Sequence, residues 1–150
     1  MARHRVHPND IVFSRRGELS RAAPISELEA GWLCGTGCFL LRLPPAKVEA
    51  RWLVYLYRHN FVQRRVEANA VGSTMPSLNN AVMERLLISF PQPDEQVEIG
   101  RRIQKLDVEI HSQLAHRDKL KVIKTGLMQD LLTGKVRVRV DEPEEAQPHA

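Results

Sequence analysis

Residues 93–134 read PDEQVEIGRRIQKLDVEIHSQLAHRDKLKVIKTGLMQDLLTG. Asp94 follows Pro93 as a good N-cap and Gly134 stands where a helix should stop. No proline interrupts the stretch between them, in which Gly100 is a weak point. The pattern predicts a helix from Asp94 to Thr133, about 40 residues and, at about 1.5 Å per residue, about 60 Å long. That is roughly twice the width of a small domain. A domain next to it in the chain cannot cover such a helix, so a second helix is required.

The apolar pattern agrees. Ile99, Ile103, Leu106, Ile110, Gln113, Arg117, Leu120, Lys124, Leu127 and Leu131 alternate steps of four and three residues, the heptad spacing of a coiled coil. Gln113, Arg117 and Lys124 weaken the seam where Leu114 and Ile123 lie beside it, and so restrict register and partner more than they maximise stability. The bland alternative is a solvent-facing helix folded back on its own domain. After the helix, Val136-Arg-Val-Arg-Val140 alternates like a short strand, and the chain from Asp141 is expected to be disordered.

Before the helix the pattern changes to short elements. Asp10-Ile-Val-Phe13 reads as a buried strand, Ser14-Arg-Arg-Gly-Glu18 as a basic turn, and Ala22–Ile25 as a second extended segment. Cys38-Phe-Leu-Leu41 is a further strand, stopped by Pro44-Pro45. Trp52, Tyr55, Leu56 and His59 fall at helical steps that continue through Phe61, Val62, Arg65 and Val66, with a break near Asn60. Ser77 caps a short helix over Leu78–Arg85, and Leu86–Phe90 reads as a buried strand ended by Pro91 and Pro93. Short strands mixed with short helices predict an α+β domain with a small mixed sheet, followed by a long coiled-coil helix.

At 150 residues the chain holds one core and an attachment. The formal charge of +4 includes a tail, Asp141–Ala150, with four carboxylates and no Lys or Arg, so the rest of the chain stands at +8. A basic body of this kind suits a polyanionic partner. Cys34 and Cys38 lack a second Cys/His pair to complete a metal site and read as two buried free thiols. No run of residues is long and apolar enough to span a bilayer, so a cytoplasmic protein without membrane contact is expected.

Catalytic motifs are not found. There is no glycine-rich cofactor loop with an Asn/Asp-Pro-Pro-aromatic motif, and no Gly-x-x-x-x-Gly-Lys-Ser/Thr. Gly35-Thr-Gly37 reads as a kinked strand, and His111 and His116, five apart, do not share a helical face. His59 reads as a surface or half-buried residue. Neither a catalytic residue, nor a metal, nor a cofactor of the chain's own is expected.

Several segments carry a resemblance: Asp10-Ile-Val-Phe-Ser-Arg-Arg-Gly17, the Gly72-Ser-Thr74 loop, Leu87-Ile-Ser-Phe-Pro-Gln-Pro93, and Glu95-Gln96 with Ile99. Above all there is Lys119-Leu, running on through Lys124-Thr-Gly-Leu-Met-Gln-Asp-Leu-Leu-Thr-Gly-Lys-Val-Arg-Val138. Over about Asp10 to Val138 the chain resembles the C-terminal part of a type I restriction-modification specificity subunit. That resemblance implies a target recognition domain over residues 1–93, truncated at its N-terminus, then a spacer helix over 94–134 and a short strand with an acidic tail over 135–150.

The resemblance also implies partners. These are double-stranded DNA, of which one half of a bipartite site is read, a DNA adenine methyltransferase (modification) subunit, a restriction motor-nuclease subunit, and a second long helix from another half-subunit or copy. S-adenosylmethionine, ATP and magnesium belong to those partners. Arg15, Arg16 and Arg21, around Gly17, supply forked donors for guanine edges or phosphates, and Ser14, Ser73 and Thr74 short hydroxyl contacts. Arg117, Lys119, Lys121 and Lys124 meet either DNA or an acidic patch on the modification subunit. The competing reading is a coiled-coil interaction module, or a remnant, that no longer binds DNA by itself.

Overall fold

The computed structural model of the chain describes residues 4–70 and 77–139. Two compact units divide it, Met1–Lys105 and Leu106–Ala150.

In the first unit, β1 (Ile11–Ser14) lies between β2 (Ala22–Pro24) and β3 (Cys38–Leu41), and both pairings are antiparallel. The small sheet is therefore antiparallel throughout, not mixed, because the short β1–β2 connection can only return the chain alongside itself. Period-two alternation buries Ile11 and Phe13 and leaves Val12 and Ser14 half-exposed, so one face of the sheet meets the core. Phe13 meets Tyr57 edge-on with ring centroids 4.5 Å apart. Tyr57 belongs to α1 (Ala50–Arg58), which buries Ala50, Trp52, Leu53, Val54 and Tyr57.

The break expected near Asn60 falls at His59, whose extended backbone ends α1 and starts α2 (Asn60–Asn69). At the rim of the sheet Asp10 accepts two hydrogen bonds from Arg42, at 2.8 and 2.7 Å, and one from the His7 amide. Burial pushes the Asp10 carboxyl up, but the Arg42 guanidinium and the His7 amide outweigh it and hold the group below its ordinary value.

Two expected elements differ. The short helix is α3 (Asn80–Glu84), capped by the Asn79 side chain and not by Ser77, which pairs instead with Arg16. The strand expected over Leu86–Phe90 does not form. Leu86 and Ile88 pack against the core, but Leu87 is 81% exposed, and the segment joins no sheet. An apolar run settles as irregular chain when alternate side chains can reach a core without ladder pairing. Arg137, Val138 and Arg139 form no strand either, and Val140 lies outside the described residues.

The long helix, α4, spans Pro93–Leu132. Its start differs from the expected cap at Asp94: Pro93 is the first helical residue, where its missing N–H costs nothing, and Gln92 accepts the first helical hydrogen bond, from Gln96. The opening turns of α4 belong to the first unit. Gln96 is fully buried, donates to the Lys47 and Pro91 carbonyls at 3.0 and 2.8 Å, and accepts from the Glu49 amide at 2.9 Å. Glu49 in turn caps α1 through the Trp52 amide. Gly100 allows this approach, since a Cβ there would lie 3.1 Å from Glu49 Oε2. Ile99 packs against the domain core.

In the second unit α4 continues to Leu132, and Gly134 follows in a left-handed conformation (φ +73°), its amide closing on Leu131 and that of Val136 on Asp130. No helix among the described residues is long and apolar enough to cross a membrane.

Candidate nucleic-acid interface

The β1–β2 loop, residues 15–21, presents Arg15, Arg16 and Arg21 to solvent, and its backbone is held from several sides. At its base the Ser14 amide donates to the Arg21 carbonyl at 2.8 Å. The Arg15 amide donates to Gly37 at 3.0 Å, and the Arg15 carbonyl accepts from Leu78 at 2.9 Å, so the loop is stitched to the turn before β3 and to the lead-in to α3. Ser14 Oγ donates to the Arg16 carbonyl at 2.9 Å, which engages that hydroxyl within the loop. Gly17 sits at φ +77°, a left-handed turn position that glycine adopts without strain. Leu19 is buried, and its carbonyl accepts the Tyr57 hydroxyl at 2.6 Å. Burial pushes the Tyr57 phenol up to about 12, so it remains a donor.

Arg21 makes only a loose contact with Glu18, at 3.9 Å, and no ion pair to Arg15 or Arg16 is found among the described residues. Three exposed cations stand on a braced turn, which leaves little loop entropy to lose on any binding there. Ser73 and Thr74 lie outside the described residues.

Cys34 and Cys38 are free, as expected, but half-buried where full burial was expected, because the Gly35–Cys38 turn beside Arg15 lies at the surface. Burial and the neighbouring Cys38 thiol push the Cys34 thiol up, which makes it a poor nucleophile. No cluster of three or more metal-ligating side chains is present among the described residues.

The expected seam splits between the two units. Ile99 and Ile103 are half-buried in the first, whereas Leu106, Ile110, Leu120, Leu127 and Leu131 are exposed in the second, Leu120 by 51%. Leu120, Ile123, Lys124, Leu127, Met128 and Leu131 line a shallow apolar groove along α4. Gln113 donates to Glu109 and Arg117 pairs with Asp118, so these two of the three polar seam residues have partners on their own helix. Sequence reasoning missed one exposed basic face, on α2, where Arg64 and Arg65 accompany Phe61. The signal was present as an arginine pair three and four residues after an aromatic.

A small α+β domain with a braced basic loop is followed by a forty-residue helix bearing an exposed apolar stripe. The chain matches, over residues 4–120, the family described as the type I restriction modification DNA specificity domain, and it belongs to that family.

Among related proteins, the type I restriction enzyme MjaVIII specificity subunit of Methanocaldococcus jannaschii is 25% identical over 62% of this chain and 22% of its own length. The putative MjaX specificity subunit of the same organism is 23% identical over 89% of this chain and 34% of its own length. A chain in the structure described as the "structural basis underlying complex assembly and conformational transition of the type I R-M system" superposes with a TM-score of 0.72. It is 21% identical, over 96% of this chain and 36% of that one. The crystal structure of the HsdS subunit from Thermoanaerobacter tengcongensis gives a TM-score of 0.61 at 20% identity, over 83% of this chain and 34% of that one. The chain thus spans about a third or less of each of these relatives, and at such identities the solved structures establish the fold.

Proposed function

We propose that this chain reads one half of a bipartite double-stranded DNA site through its β1–β2 loop, and assembles through α4 with the subunits that act on that DNA. The observation that carries this reading is the loop itself, three exposed arginines on a turn braced by Gly37, Leu78 and Tyr57. Arginine forks on a fixed backbone suit guanine edges and phosphates, and the family to which the chain belongs is a DNA specificity domain.

The exposed stripe of α4 takes a second long helix, from another half-subunit or copy. In a parallel pair of copies in register, Arg117 would face Arg117 and Lys124 would face Lys124. An antiparallel pair centred between Gln113 and Arg117 sets Ile110 against Leu120 and Gln113 against Arg117, which avoids both repulsions. The paired helices hold the modification subunit, a DNA adenine methyltransferase, and through it the restriction motor-nuclease. S-adenosylmethionine, ATP and magnesium are bound by those subunits, in the cytoplasm, and this chain contributes no catalytic step.

Titration of the full chain into labelled duplexes, with and without the modification subunit and across a range of salt, tests the reading. Arg15→Ala or Arg16→Ala should relax preference at one base pair by about 1–3 kcal/mol if that side chain reads a base, and weaken all sequences alike if it contacts phosphate. Binding without any dependence on salt rules out the arginine contacts. The exposed stripe of α4 also favours a second reading, an assembly module that does not bind DNA. A complex with the modification subunit that forms normally and never shifts a duplex selects it.

A further inference from the structure

Several arginines in the domain and along α4 are closely paired with carboxylates. Arg42 lies 2.7 Å from Asp10, Arg101 and Arg102 share Glu98 at 2.8 and 2.7 Å, and Arg117 lies 2.7 Å from Asp118. Those beside and on α2 are not so paired, like Arg15 and Arg16 of the loop. His59, Phe61, Arg64 and Arg65 are exposed together with Arg58, Glu67 is the one acidic residue in the helix, and none of these arginines has an ion pair among the described residues.

The face is also ordered. Arg65 lies over the Phe61 ring, 4.2 Å from its centroid, and donates to the Leu87 carbonyl at 3.1 Å. His59 Nδ1 accepts the Phe61 amide at 3.3 Å, so the neutral ring carries its proton on Nε2, a donor. Arg58 donates to the Ala22 carbonyl at 2.5 Å, one residue beyond Arg21, and joins this face to the basic β1–β2 loop.

Uncompensated arginines side by side repel one another, and a dense polyanion relieves that repulsion; duplex DNA carries one charge per about 1.7 Å of its axis. An exposed phenylalanine stacked by an arginine adds a flat apolar plate, 57% exposed, with charge at its rim. We propose that this face of α2 is a second duplex-DNA contact: Arg64 and His59 bind phosphate, and the Phe61–Arg65 stack packs against the sugar–phosphate edge. The proposal rests on the DNA-binding reading above and extends the basic surface from the loop onto the helix. Contacts of this kind add affinity to all sequences alike and steepen the salt dependence.

The test uses the full chain, alone and with the modification subunit, and follows anisotropy of a labelled duplex against sodium chloride. Arg64→Ala should weaken binding about 3- to 10-fold and lower the slope of log K against log salt by about 0.9, the value of one phosphate contact. Arg64→Lys should restore the slope, Phe61→Ala should weaken binding on every sequence, and Arg101→Ala, whose charge is paired with Glu98, should change neither quantity. Unchanged thermal melting establishes that each variant folds.

Should wild type bind and Arg15→Ala weaken it while Arg64→Ala and Phe61→Ala match wild type, the α2 contact is wrong and the loop reading stands. Should Arg64→Ala keep DNA affinity but lose the modification subunit, the face docks a protein and the proposal is overturned. Wild type that binds no duplex, alone or in complex, overturns both readings together.

Discussion

Replacing Gln96 by leucine keeps the size of the side chain and removes three hydrogen bonds where α4 enters the domain. The Glu49 amide loses its acceptor at 2.9 Å, and the Lys47 and Pro91 carbonyls lose donors at 3.0 and 2.8 Å. An orphaned buried group costs about 1–3 kcal/mol, and because the three partner groups belong to partly exposed residues the lower limit applies, about 3 kcal/mol for the three. Leucine recovers about 1 kcal/mol by taking an apolar side chain into a fully buried position. The net loss is about 2 kcal/mol, which at a urea slope of about 2 kcal/mol per molar lowers the midpoint by about 1 M. Trp52 reports the transition, being buried in α1 beside Gly100 and tilted against Phe90 at 5.4 Å, whereas Trp32 is largely exposed in both states. Val97→Ala, one residue away and exposed, should stay within about 0.5 kcal/mol of wild type. A Gln96→Leu midpoint within about 0.2 M of wild type, well below the 1 M worked out at that slope, refutes the argument that the buried amide holds α4 to the domain.

Other consequences follow from the same contacts. Gly100→Ala gains about 1 kcal/mol of helix propensity and presses on the flexible end of Glu49, so it should unfold within about 1 kcal/mol of wild type, whereas Gly100→Leu, driven toward the Trp52 backbone, should lose more than about 2 kcal/mol by the same urea assay. The depressed Asp10 carboxyl stabilises the fold above its unfolded value near 3.8, and that contribution is lost as pH falls through the lower folded value. Asp10→Asn should therefore be less stable than wild type at pH 7 by about 1–3 kcal/mol, and the gap should close in acid, as urea midpoints across the pH range will show. Tyr57→Phe removes the hydrogen bond to the Leu19 carbonyl, costs about 1–2 kcal/mol by thermal melting, and weakens duplex binding although every arginine is intact. Leu120→Asp combined with Leu127→Asp should abolish helix pairing by sedimentation equilibrium and leave the unfolding of the first unit unchanged, because both leucines are exposed in the second.

The elements of this fold that could be read from the chain are those whose patterns are local. Ile11 and Phe13 alternate with polar or half-exposed neighbours, and β1 and β3 fall where expected. The helical period runs through His59 to Val66, and the break expected near Asn60 falls one residue earlier, at His59. Leu86–Phe90 was illegible for the converse reason. Its apolar run matches a buried strand, but whether such a run pairs depends on a neighbouring strand edge, which lies in tertiary structure. The site divides in the same way. Arg15, Arg16 and Arg21 announce a basic turn, whereas the hydrogen bonds that brace it come from Gly37, Tyr57 and Leu78, remote in sequence. The α2 face escaped notice because its arginines lie within a helical period that was read for its buried residues.

The long helix shows why a heptad does not say what it packs against. Ile99 and Leu106 occupy equivalent seam positions, one step of seven apart, yet Ile99 packs on the domain core and Leu106 is exposed. What separates them is the polar and small residues between the apolar ones. Gln96 and Gly100, one turn apart, can meet a backbone closely, the first by hydrogen bonds and the second by having no side chain, and they turn the opening of α4 toward α1. Beyond Lys105 Gly126 is the one glycine within the helix, and a Cβ there would meet nothing within 4 Å. In the proposed pairing, apolar side chains from a second helix cover the exposed stripe. The domain joint is thus specified by hydrogen bonds and fit, and the stripe by hydrophobic area and charge register. A substitution that damages one should leave the other intact, which is why Gln96→Leu and Leu120→Asp separate folding of the recognition domain from assembly.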